Sequence, residues 1–260
     1  MIVKNFAVLF MFTFFVFSDT AFVDDLPKCK LDDYECLRGL YESIIHSIGK
    51  SGIPELNIPP VDPLKITNVT VNVLGLVNIT MVDGVAKGVK DCLFEQFRIN
   101  ITEETGHQEN TCDLSIKGHY KIESASPLLE ALLQGNAISG EGNGKIKIEK
   151  LHMKFDFPFY AQKRDDGEIY IKCIYDLIKY DYEIRGKVGF FADNLYLGNQ
   201  EISKAIVRML NENWEFVMSS FGQPFVDKAV EFYFKFASYF FDAVPARHFI
   251  IDDLSPYAKP

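Results

Sequence analysis

Clustered positive charge is what this 260-residue sequence lacks. It has 27 Lys and Arg against 36 Asp and Glu, a formal net charge of −9, and no basic run. Proteins that bind nucleic acids or anionic membranes electrostatically do so through clusters of Lys and Arg. The composition therefore argues against both kinds of partner, and we expect no nucleic acid to bind.

Sequence motifs of catalysis and metal binding are also missing. There is no Gly-x-Ser-x-Gly nucleophile elbow and no His-Glu-x-x-His zinc helix. The glycine-rich segment Gly140–Gly144 indicates a hairpin turn rather than a phosphate loop, because an alternating strand pattern follows it and Glu141 would repel phosphate. The histidines occur singly, at His46, His107, His119, His152 and His248. We expect no catalytic residue, no metal and no cofactor.

Long apolar runs are absent except at the N-terminus. The run Phe6–Phe17 follows a lysine and is shorter than the roughly 20 residues of a membrane helix, which is typical of a secretory signal. Cleavage is expected after Ala21 or after Ser18, so that residues 1–21 form a signal peptide and 22–260 one domain. We expect a secreted, extracellular protein without stable membrane insertion.

Cysteines are few, and their number, five, is odd. Cys29 and Cys36 bracket a short acidic segment before a helical pattern, which in a secreted chain predicts a local disulfide that anchors the first helix. Cys112 and Cys173 share parity with inward-facing neighbours, while a bridge from Cys92 to Cys112 across neighbouring strands is equally admissible. The pairing stays open, and one thiol remains free.

Large aromatic side chains are abundant, with 23 Phe and 12 Tyr. They suit either a Phe-rich core or the lining of a cavity. Three glycosylation sequons, at Asn68, Asn78 and Asn100, fall among the polar positions of alternating segments, and we expect all three to be used.

A long amphipathic pattern near the C-terminus predicts a helix from Asn199 to Val244. Apolar residues recur there at three- and four-residue steps, and the second half of the stripe is heavily aromatic. Gly222 and Pro224 predict a kink, because proline cannot continue the hydrogen-bond ladder and glycine can take a left-handed cap. Asn213 falls on the apolar side and would need buried partners, whereas the single tryptophan, Trp214, falls at the flank as ordinary core.

From Leu64 onward the apolar period is two, which predicts consecutive strands with one apolar face. The inward positions are Val69, Val71, Val73, Val77, Ile79, Met81, Phe97, Ile99, Ile101, Leu114, Ile116, Tyr120, Met153, Phe155, Phe157, Phe159, Ile169, Ile171, Cys173, Tyr175, Tyr180, Tyr182 and Ile184. Turns are predicted at 104–110, 140–144 and 165–167. A continuous apolar face of this length needs a cover, and the C-terminal helix is the obvious one.

The order and spacing of several short motifs resemble the insect juvenile-hormone-binding and takeout family across essentially the whole mature chain. The motifs are Leu26-Pro27-x-Cys29, Cys36-Leu37, Gly52-Ile-Pro54-Glu55-Leu56, Ile58-Pro59, Asp62-Pro63-Leu64, Gly118-x-Tyr120, Asn211-Glu212-Asn213-Trp214 and Val244-Pro245. The resemblance implies an α+β tubular lipid-binding fold. In it a strongly curved antiparallel sheet wraps a long, kinked C-terminal helix, beside a disulfide-anchored N-terminal helix, and leaves an apolar tunnel.

The sequence thus predicts a non-enzymatic carrier of one small hydrophobic ligand, such as a juvenile-hormone-like terpenoid, a fatty acid or a related lipid. The residues expected to line the tunnel are Phe97, Tyr120, Phe155, Phe157, Phe221 and Phe225. We expect a monomer, with a cell-surface receptor left open as a further partner. Two alternatives remain: a secreted hydrolase of lipid esters, and an extracellular interaction protein without a ligand.

Overall fold

The computed structural model describes residues 22–260, and the predicted signal peptide lies outside them. Eleven strands in this range form one open sheet, antiparallel except where the last strand joins it in parallel. The strands are β1 (Leu64–Val73), β2 (Val77–Lys87), β3 (Leu93–Asn100), β4 (Thr105–Ser124), β5 (Ile138–Lys163), β6 (Ile169–Cys173), β7 (Lys179–Ile184), β8 (Val188–Ala192), β9 (Leu195–Leu197), β10 (Gln200–Glu201) and β11 (Ala258–Lys259). The helices are α1 (Tyr34–Ser51), α2 (Pro127–Leu132), α3 (Ser203–Glu212), α4 (Trp214–Phe221) and α5 (Gln223–Ala243).

Two long strands organise the sheet. β4 has 20 residues and β5 has 26, and they pair from Thr105–Pro158 to Glu123–Ser139. On the side of β4 away from β5, β3 pairs with the first half of β4 and β2 with the second half, and β1 pairs with the other edge of β2. On the side of β5 away from β4, the strands β9, β8, β7 and β6 pair with β5 in this order along its length. Register shifts interrupt the pairing at 81–83, 94–96 and 112–114. Such bulges bend a strand and increase its twist, which lets one sheet curve around the helices.

The predicted C-terminal helix is three helices rather than one kinked helix. It breaks at Gly222, as expected, and Pro224 lies in the first turn of α5, where its missing N–H costs nothing. Gly222 does not take a left-handed cap, because its φ of −72° and ψ of −31° are right-handed. A second break falls at Asn213, whose side-chain amide donates to the Met209 carbonyl oxygen at 2.9 Å.

Asn213 is exposed, so its expected place on the buried side of the helix is wrong. Asn211, which is half-buried, bonds to the sheet instead. Its Oδ1 accepts from the Phe190 N–H at 2.8 Å, and its Nδ2 donates to the carbonyl oxygens of Phe190 at 2.9 Å and Val207 at 2.7 Å. The two bonds with Phe190 attach α3 to β8, and the bond to Val207 lies within α3. Trp214 is half-buried at the start of α4.

Two of the three predicted turns are wrong, at least in part. Residues 105–110 belong to β4, so the turn before it is only 101–104, and 140–144 lies inside β5. The glycines at 140 and 142 serve a close approach of backbone instead. A Cβ on Gly140 would lie 2.6 Å from the Asn194 carbonyl oxygen, and one on Gly142 would lie 2.7 Å from that of Asp193. The turn at 165–167 is confirmed by the bond from Gly167 N–H to the Arg164 carbonyl oxygen.

The N-terminal helix begins and ends as its sequence indicates. Asp33 caps it by accepting from the Cys36 N–H at 3.0 Å, and Gly52, at φ 64°, follows its last residue. A disulfide joins Cys29 to Cys36, as predicted, and a second joins Cys92 to Cys112, which leaves Cys173 free.

The main core lies between α1, the second half of α5 and the strands β3 to β6. Its buried side chains include the α1 stripe and the aromatic residues of α5, with the C-terminal segment closing it. A second cluster, around Leu151, Met153 and Phe155, packs against Val226 and Phe234 of α5. The architecture is therefore the α+β fold that the sequence predicts, with a curved antiparallel sheet around helices.

Candidate functional site: an apolar cavity between the sheet and two helices

A cavity of about 60 Å³ lies inside the main core. Its wall consists of Leu37, Leu40, Tyr41, Ile44, Phe97, Ile99, Gln108, Phe157, Phe159, Ile171, Cys173, Phe234, Ala237, Phe240, Phe241, Phe249 and Ile250. A larger depression, of about 470 Å³, lies on the surface beside Glu42, His46 and Lys90, and it is open to solvent and lined in part by charged side chains. The apolar cavity is therefore the candidate ligand site.

Within each helix or strand, the periodicity of the backbone places these side chains on the same face. The α1 residues Leu37, Leu40, Tyr41 and Ile44 follow helical spacing, so they share one face of the helix. On the strands, alternate residues point to the same side of the sheet, which turns Phe97 and Ile99 of β3 inward together. The same rule brings in Phe157 and Phe159 of β5, and Ile171 and Cys173 of β6.

Aromatic rings form most of the inner surface. Tyr41 stacks on Phe97 with ring centroids 4.6 Å apart and planes at 15°. Phe157 lies between two walls, with its ring centroid 6.3 Å from that of Phe97 and 6.2 Å from that of Phe234. The ring of Phe157 also covers Gly106, where a Cβ would come within 2.2 Å of it. The wall is apolar, so a polar or charged ligand would make few favourable contacts there.

A short chain of hydrogen bonds is the polar feature of this site. Gln108, 1% exposed, donates from Nε2 to the Tyr233 hydroxyl at 2.6 Å and to Asn110 Oδ1 at 3.0 Å, and the Tyr233 and Tyr41 hydroxyls are 3.0 Å apart. Burial raises the pKa of Tyr41 well above its usual value and raises the pKa of Tyr233 to about 12. Both phenols therefore stay neutral at physiological pH and can donate a hydrogen bond.

Cys173 supplies a thiol to the wall. Burial raises the pKa of this thiol to about 12, so at neutral pH the reactive thiolate is scarce. Cys173 therefore acts as a small apolar side chain in this wall.

The structure brings together two of the six predicted tunnel residues, Phe97 and Phe157. The other four lie elsewhere. Phe155 is buried in the second core cluster, and the Tyr120 hydroxyl donates to the Asp193 carbonyl oxygen at 2.6 Å. Phe221 is half-buried, with its ring 6.1 Å from that of Phe216, and Phe225 is half-buried in the first turn of α5. Whether any of the six contacts a ligand stays a prediction.

Sequence reasoning missed three parts of the wall. Gln108 was assigned to a turn, although it has the parity of the inward-facing Cys112 on the same strand. Phe234 lines the cavity, although it is adjacent in the sequence to a residue of the predicted helical stripe and was not itself assigned to that stripe. The α1 stripe was recognised as apolar, but its packing against β3 is a tertiary contact.

The predicted glycosylation sites differ in exposure. Asn68 and Asn100 are exposed, and Asn68 has a left-handed φ of 53°. Asn78 is half-buried, and its Oδ1 accepts from Asn72 Nδ2 at 2.7 Å. Occupancy of the three sites remains a prediction.

A curved sheet closed by helices over an apolar, aromatic cavity is the fold of lipid- and hormone-binding carriers. The chain belongs to the haemolymph juvenile hormone binding protein (JHBP) family, whose model matches residues 8–251. It is similar to the crystal structure of Takeout 1 from Epiphyas postvittana, with a TM-score of 0.73 and 22% sequence identity over 86% of this chain and 99% of that one. At this identity the similarity shows the fold. Comparison with curated protein sequences found no match.

Within residues 22–260, none of the helices has the length and apolar character needed to cross a membrane.

Proposed function

We propose that this protein is a secreted carrier that binds one small hydrophobic molecule in the cavity between α1, α5 and the sheet. The ligand is a juvenile-hormone-like terpenoid, a fatty acid or a related lipid. The observation that carries the proposal is the wall itself, which is aliphatic and aromatic apart from Gln108, the Tyr41 hydroxyl and the Cys173 thiol. Membership in a family of binding proteins supports the same conclusion.

Burial of apolar ligand surface drives the binding. Each 100 Å² of apolar surface removed from water contributes about 2.5 kcal/mol, before the cost of association is subtracted. A lipid with a long hydrocarbon part therefore gains affinity in proportion to the length that the cavity covers.

Binding includes a movement of the wall. The cavity measures about 60 Å³, whereas sites for small molecules usually measure about 300–1,000 Å³. Rotation of aromatic side chains at the boundary between Phe157, Phe234 and Phe241 enlarges it at the cost of some packing. The carrier therefore selects ligands whose burial exceeds this cost.

The hydrogen-bonded chain of Gln108, Tyr233 and Tyr41 gives the site its polar end. A ligand oxygen that reaches this chain exchanges a hydrogen bond with water for one with Gln108 or a phenol, so that its burial is not penalised. The proposed carrier therefore prefers a lipid with one oxygen-bearing end over a pure hydrocarbon.

Secretion belongs to the same proposal. Removal of residues 1–21 leaves one mature domain, 22–260, which acts as a monomer and carries glycans at the three sequons. The two disulfides support an oxidising compartment, and the apolar N-terminal run supports a signal peptide.

The test starts with the protein secreted by insect cells and analysed by native mass spectrometry under conditions that preserve lipids. We expect one lipid per chain, and displacement of bound cis-parinaric acid by terpenoids or fatty acids. An empty chain that also fails to bind the probe contradicts the proposal. A lipid ester incubated with the protein should remain intact, and product in excess of the protein would indicate a hydrolase instead.

Gln108→Leu tests the polar end of the site. We expect the variant to lose its preference for a fatty alcohol over the alkane of equal length, because the amide that orients the hydroxyls of Tyr233 and Tyr41 is gone. Asn211→Leu removes a hydrogen-bonded amide that neither lines the cavity nor bonds to Gln108. It should lose stability while keeping the preference, and equal preference in Gln108→Leu and the wild type would contradict the assignment.

A further inference from the structure

Charged side chains gather on the outer face of the sheet, opposite the cavity. Glu95 of β3, Glu109 of β4 and His152 of β5 each present one possible ligand atom, and these three atoms lie within 4.8 Å of one another. Glu109 is adjacent to the inward-facing Gln108, so the strand alternation itself puts the carboxylate on the opposite face.

A β-bulge turns Glu95 toward this cluster. Phe94 and Phe97 are both buried on the inner face, although three steps along a regular strand would put them on opposite faces. The register with β4 shifts between Phe94 and Gln96, which accommodates the extra residue. Bulges of this kind re-aim side chains, and here Glu95 comes to lie beside His152.

His152 has a buried nitrogen without a hydrogen bond. The side chain is 1% exposed, and no residue in the described range, 22–260, forms a hydrogen bond with its Nε2. The Thr111 hydroxyl donates to Glu95 Oε1 at 2.6 Å and lies 3.1 Å from His152 Nδ1. A hydroxyl has a single proton, so Thr111 accepts from Nδ1–H and leaves the lone pair of the neutral ring on Nε2.

This lone pair points at a carboxylate. Glu109 Oε2 lies 3.6 Å from His152 Nε2, and Glu109 itself is largely buried, with 14% of its side chain exposed. Two buried acceptors facing each other are unfavourable unless a positive charge lies between them. A proton or a metal ion meets this need.

The 3.6 Å between His152 Nε2 and Glu109 Oε2 fits a metal ion, and Glu95, whose Oε1 lies 3.4 Å from His152 Nδ1, turns toward Nε2 to complete the site. Zn²⁺ binds imidazole nitrogen and carboxylate oxygen at about 2.0–2.2 Å, so neighbouring ligand atoms of a tetrahedral site lie roughly 3.4 Å apart. His107 Nε2 lies 3.1 Å from Glu109 Oε1 and orients this carboxylate from outside, and Asp156 Oδ1 in turn lies 2.7 Å from His107 Nδ1. Oriented ligands with hydrogen-bonded outer partners are typical of metal sites.

We propose that Glu95, Glu109 and His152 form a Zn²⁺ site on the outer face of the sheet, with water completing the coordination. The ion joins β3, β4 and β5 behind the cavity wall. Arg185 lies 3.6 Å from Glu95 Oε1 and Lys154 lies 4.0 Å from Glu109 Oε1, so both carboxylates already have neighbouring cations. Sequence inspection predicted no metal because the three ligands come from three strands and form no local motif.

The test measures Zn²⁺ binding to the mature protein, purified without a histidine tag and dialysed against EDTA. Isothermal titration should give one equivalent of Zn²⁺ per chain. In thermal unfolding, Zn²⁺ at 100 times its Kd should raise the ratio of folded to unfolded protein about 100-fold, and EDTA should reverse the effect.

Three variants make the test specific. Glu109→Gln keeps the shape and the contact with His107 but removes the charge, and it should weaken binding by at least about 10-fold, since even loss of an orienting partner costs this much. His152→Gln should do the same. His119→Gln is the matched control, because His119 Nε2 lies 3.2 Å from Glu141 Oε1 on the same strands without a third ligand.

Loss of binding in Glu109→Gln and His152→Gln, with normal binding in His119→Gln, supports the site. Absence of Zn²⁺ binding by the wild type overturns it, and His152 Nε2 then carries a proton toward Glu109. Normal binding by the folded Glu109→Gln protein also overturns it, even if His152→Gln fails to fold. Circular dichroism verifies that each variant is folded.

Discussion

Replacement of Phe157 distinguishes a cavity wall from a filled core. Phe157 is half-buried, and its ring lines the cavity between Phe97 and Phe234. Phe155 is the matched control, because it lies two residues away on the same face of β5, is 3% exposed and does not line the cavity. The two positions therefore differ in what surrounds the ring.

Phe155→Ala should lower the free energy of unfolding by about 3–5 kcal/mol, the usual cost of opening a hole in a packed core. At position 157 one side of the ring already faces the cavity, so removal of the ring loses fewer packing contacts than it does at position 155. We expect Phe157→Ala to cost about 1–2 kcal/mol, near the low end of what burial of one large apolar side chain contributes.

Phe157→Trp should weaken ligand binding more than it lowers the free energy of unfolding. A larger ring narrows the cavity, and overpacking costs about 1–3 kcal/mol when a ligand must share the space, which weakens binding roughly 5- to 150-fold. Stability without ligand should change less, because the additional ring atoms can occupy the open space.

Urea unfolding followed by circular dichroism gives the stabilities, and displacement of cis-parinaric acid gives the affinities. The wall assignment predicts a small stability loss with Phe157→Ala and a large affinity loss with Phe157→Trp. If Phe157→Ala loses as much stability as Phe155→Ala while Phe157→Trp binds normally, Phe157 belongs to the core and the cavity assignment is wrong.

Three further predictions follow from the structure. Joint replacement of Cys29 and Cys36 by Ser should cost about 2–3 kcal/mol for so short a loop yet leave a folded protein; complete loss of secondary structure in circular dichroism would contradict this. Because burial raises the pKa of Cys173 to about 12, iodoacetamide should label it slowly at pH 8 and faster as pH rises, and saturating lipid should slow labelling further; equal rates with and without lipid would exclude it from the ligand site. Asn211→Ala removes two bonds between α3 and β8 and one within α3, and should cost about 1–3 kcal/mol, whereas Asn213→Ala, at an exposed position, should cost much less; urea midpoints shifted equally would refute this.

Local patterns predicted most of the elements. The alternation in β1, β2, β3 and β7, and the helical stripe of α1, depend on which face is buried, and burial of one face is written in the order of apolar and polar residues. The sequence predictions were wrong where a residue type is compatible with more than one local structure. The glycines of 140–144 indicated a turn, but they lie within β5, where the backbone at 193–194 approaches Gly140 and Gly142 too closely for a Cβ.

The candidate site was less accessible to sequence reasoning than the fold. Parity and the family resemblance together predicted Phe97 and Phe157, which line the cavity, yet Phe155 has the same parity and packs into a different cluster. Parity tells which face of a strand a residue occupies, whereas its position along a curved sheet decides which helix covers it. No local signal marks that position.

The sequence by itself determined the alternation of faces, the helix break at Gly222, the first disulfide and the family, because each depends on residues close together in the chain or on their order. Only the tertiary structure decided that Cys92 pairs with Cys112, that Gln108 meets Tyr233, and that Glu95, Glu109 and His152 converge. The physical reason is that such contacts join residues of separate strands and helices, and their distances follow from bulges, register and curvature of the whole sheet.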